Sequence, residues 1–189
     1  MDANVDPRKA WYRANLGQTK AFNRNINAWF AWVADNHRTY RLGKTKKQVR
    51  KAWYAERRAL ARKPAGGKIG PSEWTDTFLY AAYYQSTWPD LADAWKAWDR
   101  QGDWRAVRDE YALFNAPRDD NGYAVSLAVS CTDAPWPKSW RKWRKDSRRL
   151  DRKAPFLAWA NTWFNAPCDV WKAKPGKRLP IPGNDTDML

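Results

Sequence analysis

The sequence predicts an all-α protein, an irregular bundle of about eight helices around a Trp-rich core, continued by an extended C-terminal tail. Three observations predict it. The apolar fraction is dominated by Ala and by 29 aromatic residues, 15 of them Trp, while Ile occurs three times; large flat rings, rather than β-branched aliphatics, disfavour a sheet-rich core. Apolar residues recur at three- and four-residue steps in segment after segment, and no stretch alternates convincingly. Pro, Gly and small polar residues fall between those segments, where helices start and stop.

The elements follow in order. "VDPRKAWYRANL" predicts a first helix with Asp6 as N-cap and Pro7 in its first turn. "TKAFNRNINAWFAWVADNH" predicts a second, ending near Asn36, with Phe22, Ile26, Trp29, Phe30 and Val33 on its apolar face. After Gly43, Thr45 caps a helix to about Arg62 that turns Val49, Trp53 and Leu60 inward. "KPAGGKIGP" holds two prolines and three glycines in nine residues and is a loop. "SEWTDTFLYAAYYQSTW" restarts from Ser72 with Trp74, Phe78, Leu79, Ala82 and Tyr83 inward. "PDLADAWKAWDRQ" runs from Pro89 to Gly102, and "DWRAVRDEYALF" follows from Asp103.

"DDNGYAVSLAVSC" suits a helix or a buried strand, and periodicity does not decide between them. "WPKSWRKWRKDSRR" predicts a helix of about fifteen residues entered through Pro135 and Pro137, and "PFLAWANTWFNA" a shorter one packing Phe156, Trp159 and Trp163. We place one helical domain over residues 1–178 and the extended tail over 179–189.

The charge of +15 raises the prior for a polyanionic partner, yet it is segregated. Residues 41–63 carry ten basic side chains and one acidic; residues 138–153 carry nine and two. Between them, residues 69–137 hold eleven of the twenty acidic residues against five basic, a net charge of −6 that a uniform nucleic-acid surface does not need. No apolar run reaches the ~18 residues of a membrane span, and the first residues show no export-signal pattern.

Few constellations carry chemistry. Two cysteines and one histidine, His37, cannot supply the four ligands of an ordinary zinc site, so neither a metal nor a cofactor is expected. No Gly-x-Ser-x-Gly elbow and no phosphate-cradling glycine loop occurs, so no catalytic residue is assigned, and His37 reads as a helix-end residue in solvent. Cys131 and Cys168 leave two readings open, a disulfide or two buried thiols. Trp136, Trp140 and Trp143 share a helix face, with Arg141, Lys142, Arg144, Lys145 and Arg148 on the others. Rings so placed serve either to stack bases or to pack inward, and their recurrence at the same spacing in helices that are not basic favours packing. Glu73 and Asp76 lie three apart in the first turn of their helix; such carboxylates cap the helix dipole, or else capture a cation such as a peptide's free amino terminus.

"VDPRKAWYRANLGQ", "GPSEWTDTFLYAAYYQSTW", "DDNGYAV…AVSCTDAPWPKSW" and "KAPFLAWANTWFNAPCDVWKAKPGK" together resemble the lid region of secreted actinobacterial α/β-hydrolases of the tripeptidyl aminopeptidase type, relatives of prolyl aminopeptidases. The likeness covers about residues 4–178, in several segments in the right order. It implies a helical insertion over the catalytic core of a serine peptidase, with that core as partner and short peptides bearing a free amino terminus as substrates. The nucleophile, Asp and His belong to the core and have no counterpart in this sequence, so the implied work is covering and selection. The resemblance also implies export, a Cys131–Cys168 disulfide, and a role for Glu73, with Asp76, in holding the substrate's amino terminus. A lid parted from its core is expected to expose an apolar patch. The alternative is a non-enzymatic basic module for nucleic acid or anionic surfaces.

Overall fold

The computed structural model describes Asp6, residues 8–115 and residues 121–177. The expectations for Pro7, for the acidic pair at 119–120 and for the tail after 178 fall outside those residues. Among the described residues the secondary structure is helical apart from one isolated bridge between Ala65 and Ile69. Eight helices have eight residues or more: α1 Tyr12–Asp35, α3 Lys46–Arg62, α4 Pro71–Tyr83, α5 Trp88–Gln101, α6 Trp104–Asn115, α7 Asn121–Asp133, α8 Trp140–Asp151 and α9 Ala158–Asn165. The single turns α2 His37–Tyr40 and α10 Pro167–Val170, and a 3-10 turn Gln85–Thr87, complete the set.

The chain divides into two compact units. The first comprises residues 1–18, 119–153 and 158–189; the second comprises residues 19–118 and 154–157. Helix α1 contributes its first seven residues to the first unit and the remainder to the second.

In the second unit the predicted apolar faces meet. Ile26, Trp29, Phe30 and Val33 of α1, Val49 and Trp53 of α3, Trp74 and Phe78 of α4, and Leu91 and Trp95 of α5 are fully excluded from solvent. With Phe156, their rings touch in a continuous chain: Phe156–Trp53 at 5.5 Å, Trp53–Trp74 at 6.0 Å, Trp74–Phe78 at 4.6 Å, Phe78–Trp29 at 5.2 Å and Trp29–Trp95 at 5.9 Å between centroids. These are the offset and tilted contacts that the ring quadrupoles favour.

Loops fix the ends. The Thr45 side chain accepts from the Gln48 N–H, and the Gln48 side chain accepts from Lys44 N at 2.8 Å, a reciprocal cap on α3. Gly102 closes α5 at φ 66°, as a C-terminal glycine should. Gly66, at φ 57°, is where Trp104 lies flat on the 63–70 loop, and a Cβ there would stand 2.3 Å from the indole.

The first unit gathers Tyr12, Leu127, Cys131, Trp136, Trp143 and Cys168, with Trp11, Leu16, Trp140 and Trp171 against them. Trp136 and Trp143 stack at 5.4 Å and 12°, and Tyr12 meets both edge-on. Three indole N–H groups here have acceptors: Trp143 donates to Pro137 O at 2.8 Å, Trp136 to Ser130 O at 2.6 Å and Trp11 to Asp133 Oδ2 at 3.1 Å.

Several expectations require correction. The two N-terminal helices are one, since Gly17 meets nothing within 4 Å and a helix tolerates one exposed glycine. Asp6 binds the N–H and guanidinium of Arg8 in a turn before α1 and does not cap it. Gly70, not Ser72, is the N-cap of α4, with Pro71 in its first turn. The segment 121–133 is a helix. The basic helix spans 12 residues from Trp140, capped by Ser139, so Trp136 packs from the extended stretch before it. Tyr83 and Trp163 are turned outward, 50 % and 60 % exposed, and Leu79 and Trp159 are half-buried.

Candidate functional site

Glu73 and Asp76 project from the first two turns of α4, on a frame set by local chemistry. Pro71 and the extended Gly70 start the helix, and Thr75 and Thr77 return their hydroxyls to Pro71 O and Glu73 O at 2.7 and 2.8 Å. The buried stripe Trp74, Phe78, Ala81 and Ala82 fixes the rotation of α4 about its axis.

The two carboxylates have different surroundings. Glu73 Oε2 accepts from Gly70 N at 2.9 Å, reaching back from the third helical position to the cap. Glu73 is therefore a capping residue in this structure, the plainer of its two readings. Asp76 has no hydrogen bond or ion pair to any described residue. Burial pushes its carboxyl up to about 6, and the neighbouring Glu73 charge adds to the effect. No cation of the described residues offsets it.

Helix α6 packs on α4 and brings a third group. Tyr111 is raised above its ordinary value by burial and then by the charges of Asp76 and Glu73. Glu110, the residue before Tyr111, is raised by burial, Asp90 and Asp109. This side of α4 and α6 is thus electronegative and partly shielded from water, and it favours whatever brings positive charge. Tyr111 was not foreseen, because nothing in "DWRAVRDEYALF" says which α6 residue faces α4. Only its place beside the Asp76 and Glu73 charges marks it.

The other predicted residues fall as follows. Cys131 of α7 and Cys168 of α10 are joined in a disulfide and buried. His37 is half-buried at the start of α2. Among the described residues no three His, Cys, Asp or Glu side chains gather as metal ligands. Helix α8 buries Trp143, Asp146, Ser147 and Leu150 and leaves Arg141, Lys142, Arg144, Lys145, Arg148 and Arg149 exposed, so its rings pack and its cations face water. No described helix is long and apolar enough to cross a membrane.

No family model matches the chain. Among curated proteins it is 42% identical over 182 residues to the tripeptidyl aminopeptidase of Streptomyces lividans, covering 92% of this chain and 34% of that protein. The tripeptidyl aminopeptidase of Streptomyces coelicolor matches at the same identity over the same length, with 33% of that protein covered. The chain spans about a third of the length of these relatives. An all-α, disulfide-bonded chain is thus similar, over nearly all of its length, to one third of a tripeptidyl aminopeptidase.

Proposed function

We propose that this chain is the substrate-covering lid of an aminopeptidase-like serine hydrolase. It closes over a cleft whose nucleophile, acid and base come from an α/β core, and it orients the free amino terminus of a short peptide. The observation that carries the reading is Asp76, a half-buried carboxylate with no cationic partner among the described residues, raised to about 6 beside Glu73. A peptide ammonium supplies the missing charge and lowers that pKa again. Held at a fixed distance from the scissile bond, it also sets how many residues are removed at a time.

The similarity to tripeptidyl aminopeptidases supports the enzyme class. The Cys131–Cys168 disulfide supports an oxidising location outside the cytoplasm. Trp163, Phe164, Val129 and Val125, each between 46% and 60% exposed in the first unit, supply apolar surface for a core to cover.

The test replaces the matching third of the Streptomyces lividans enzyme with this chain. Asp76→Asn should lower kcat/KM for unblocked tripeptide substrates by about 30-fold while leaving N-acetylated ones unchanged. Equal effects on both substrates would remove the amine-capture role. Glu73→Gln should act less strongly, because that residue is already engaged by Gly70 N. The other reading, a nucleic-acid module, rests on the exposed cations of α8. It requires affinity for DNA that falls steeply with salt.

A further inference from the structure

A concave site in the second unit is lined by none of the α4 residues. A cleft of about 670 Å³ is lined by His37, Arg38 and Arg41 around α2, Gly43, Lys44 and Gln48 at the start of α3, and Arg100 at the end of α5. It holds four cations and no carboxylate. Asp99 approaches Arg100 at 3.4 Å, while Arg38, Arg41 and Lys44 have no acidic partner among the described residues.

Two features of the frame are unfavourable to the protein alone. Arg41 is the described non-glycine residue at positive φ, 56°, where glycine is the favoured occupant. Lys44, Lys46 and Lys47 crowd the amino end of the 17-residue α3, whose first turn has no acidic residue. A helix N-terminus attracts anions and repels cations, so this placement opposes the dipole. The backbone that carries them is fixed, and one of the four cationic groups is itself hydrogen-bonded. Arg100 donates to Arg41 O at 2.8 Å, Arg41 N closes onto His37 O, and the Thr45–Gln48 cap pins Lys44. Gly43 fits so closely that a Cβ would stand 2.9 Å from Val49 N. A preformed, uncompensated cationic cleft at the positive end of a helix is the arrangement that binds a phosphate-type anion.

The geometry points to a binding site for a small, multiply charged oxyanion, a chain of two or three phosphate groups or its equivalent, held by Arg38, Arg41, Lys44 and Arg100. Three unpaired cations and one shared with Asp99 match three or four negative charges. A cleft of this size accommodates a small molecule. The site is independent of the lid reading and uses none of its residues.

Calorimetric titration of the full chain with tripolyphosphate, at low and moderate salt, tests it. Binding should be at least tenfold tighter than for orthophosphate, and it should weaken with added salt. Arg41→Gly is the informative variant, because glycine accepts the backbone conformation and the guanidinium alone is lost; it should weaken tripolyphosphate binding by about tenfold. Lys44→Gln should do the same. The double variant R144Q/R148Q on α8 removes two charges, one more than either single variant, from a different surface and should leave binding within twofold. Equal losses in the α8 variant, or unchanged affinity in Arg41→Gly, would overturn the assignment in favour of general attraction to a basic protein. Tighter binding of an oligonucleotide than of tripolyphosphate at equal charge would overturn it in favour of a polymer ligand.

Discussion

The two units bury tryptophan differently. In the second unit the Trp29 indole donates to Trp88 O at 3.3 Å, but the indole N–H groups of Trp53, Trp74 and Trp95 are buried with no acceptor among the described residues, each of these three forgoing a hydrogen bond that it had in water. In the first unit Trp11, Trp136 and Trp143 all donate. The second unit draws on α1 and α3–α6 and accepts the loss of those bonds because its ring-filled core excludes so much water. The first is smaller and rests on named polar contacts. Tyr12 donates to Asp146 Oδ2 at 3.0 Å, Lys142 donates to the same oxygen at 2.8 Å, and Ser147 and Thr162 share a bond of 2.7 Å. A disulfide is added to these. Where apolar area is short, specific bonds and a crosslink substitute for it.

The largest expected effect breaks the ring chain of the second unit. Trp53→Ala should cost about 4–5 kcal/mol in urea unfolding, a large fraction of the stability of an ordinary domain. Trp53→Phe sharpens the contrast. It removes an N–H that had no partner, so it should cost no more than about 1 kcal/mol beyond the lost volume, whereas Trp143→Phe also strands Pro137 O and should cost about 1 kcal/mol more.

Next in size is the crosslink. Cys131→Ala with Cys168→Ala should cost the first unit about 4 kcal/mol in the chain-entropy account, for a sequence separation of 37. Hydrogen exchange should show faster opening of α7, α8 and α10 with the core of α3–α5 unchanged. Uniform acceleration would mean that the units unfold as one.

The smallest effect separates the units by pH. Burial works against the Asp146 carboxylate, yet hydrogen bonds from Lys142 and Tyr12 and the charges of Lys142 and Arg149 hold its pKa below the ordinary value. Its folded pKa is lowered, so its contribution is present above the unfolded pKa and is lost as pH falls. Asp76 has the opposite sign. With a folded pKa of about 6 against 3.8 for the free group, its penalty is absent in acid and complete once pH exceeds 6. Asp76→Asn should therefore stabilise by about 1–2 kcal/mol at pH 7, after allowance for partial exposure, and by almost nothing at pH 4. A gain that is the same at both pH values would show that Asp76 is not strained by its charge.

The sequence made some of this legible and hid the rest for physical reasons. Caps were readable: Thr45 and Gly102 act as their residue types require. The faces of α1 and α3 were readable because five- and three-member apolar stripes leave one rotation. Tyr83 and Trp163 were not, since a stripe tells which residues are apolar but not how far a neighbouring helix extends to cover them. The strand-or-helix question at 121–133 needed the pairing of Cys131 with Cys168 and the packing of Leu127 beside it. Within the site, the three-residue spacing of Glu73 and Asp76 was visible. That Glu73 folds back on Gly70 and leaves Asp76 alone was not, because it depends on Pro71 and the extended Gly70 forming the cap. The cleft between α2, α3 and α5 had no sequence signal, since Arg100 is 59 residues from Arg41.

The disulfide also changes what a cut does to this protein. Helix α8 and its lysines and arginines lie wholly inside the loop that Cys131 and Cys168 close, and six of those cations are exposed. Any peptidase with a preference for basic residues will find its bonds there. A chain nicked anywhere between the two cysteines remains one covalent molecule, its halves parting only when the disulfide is reduced.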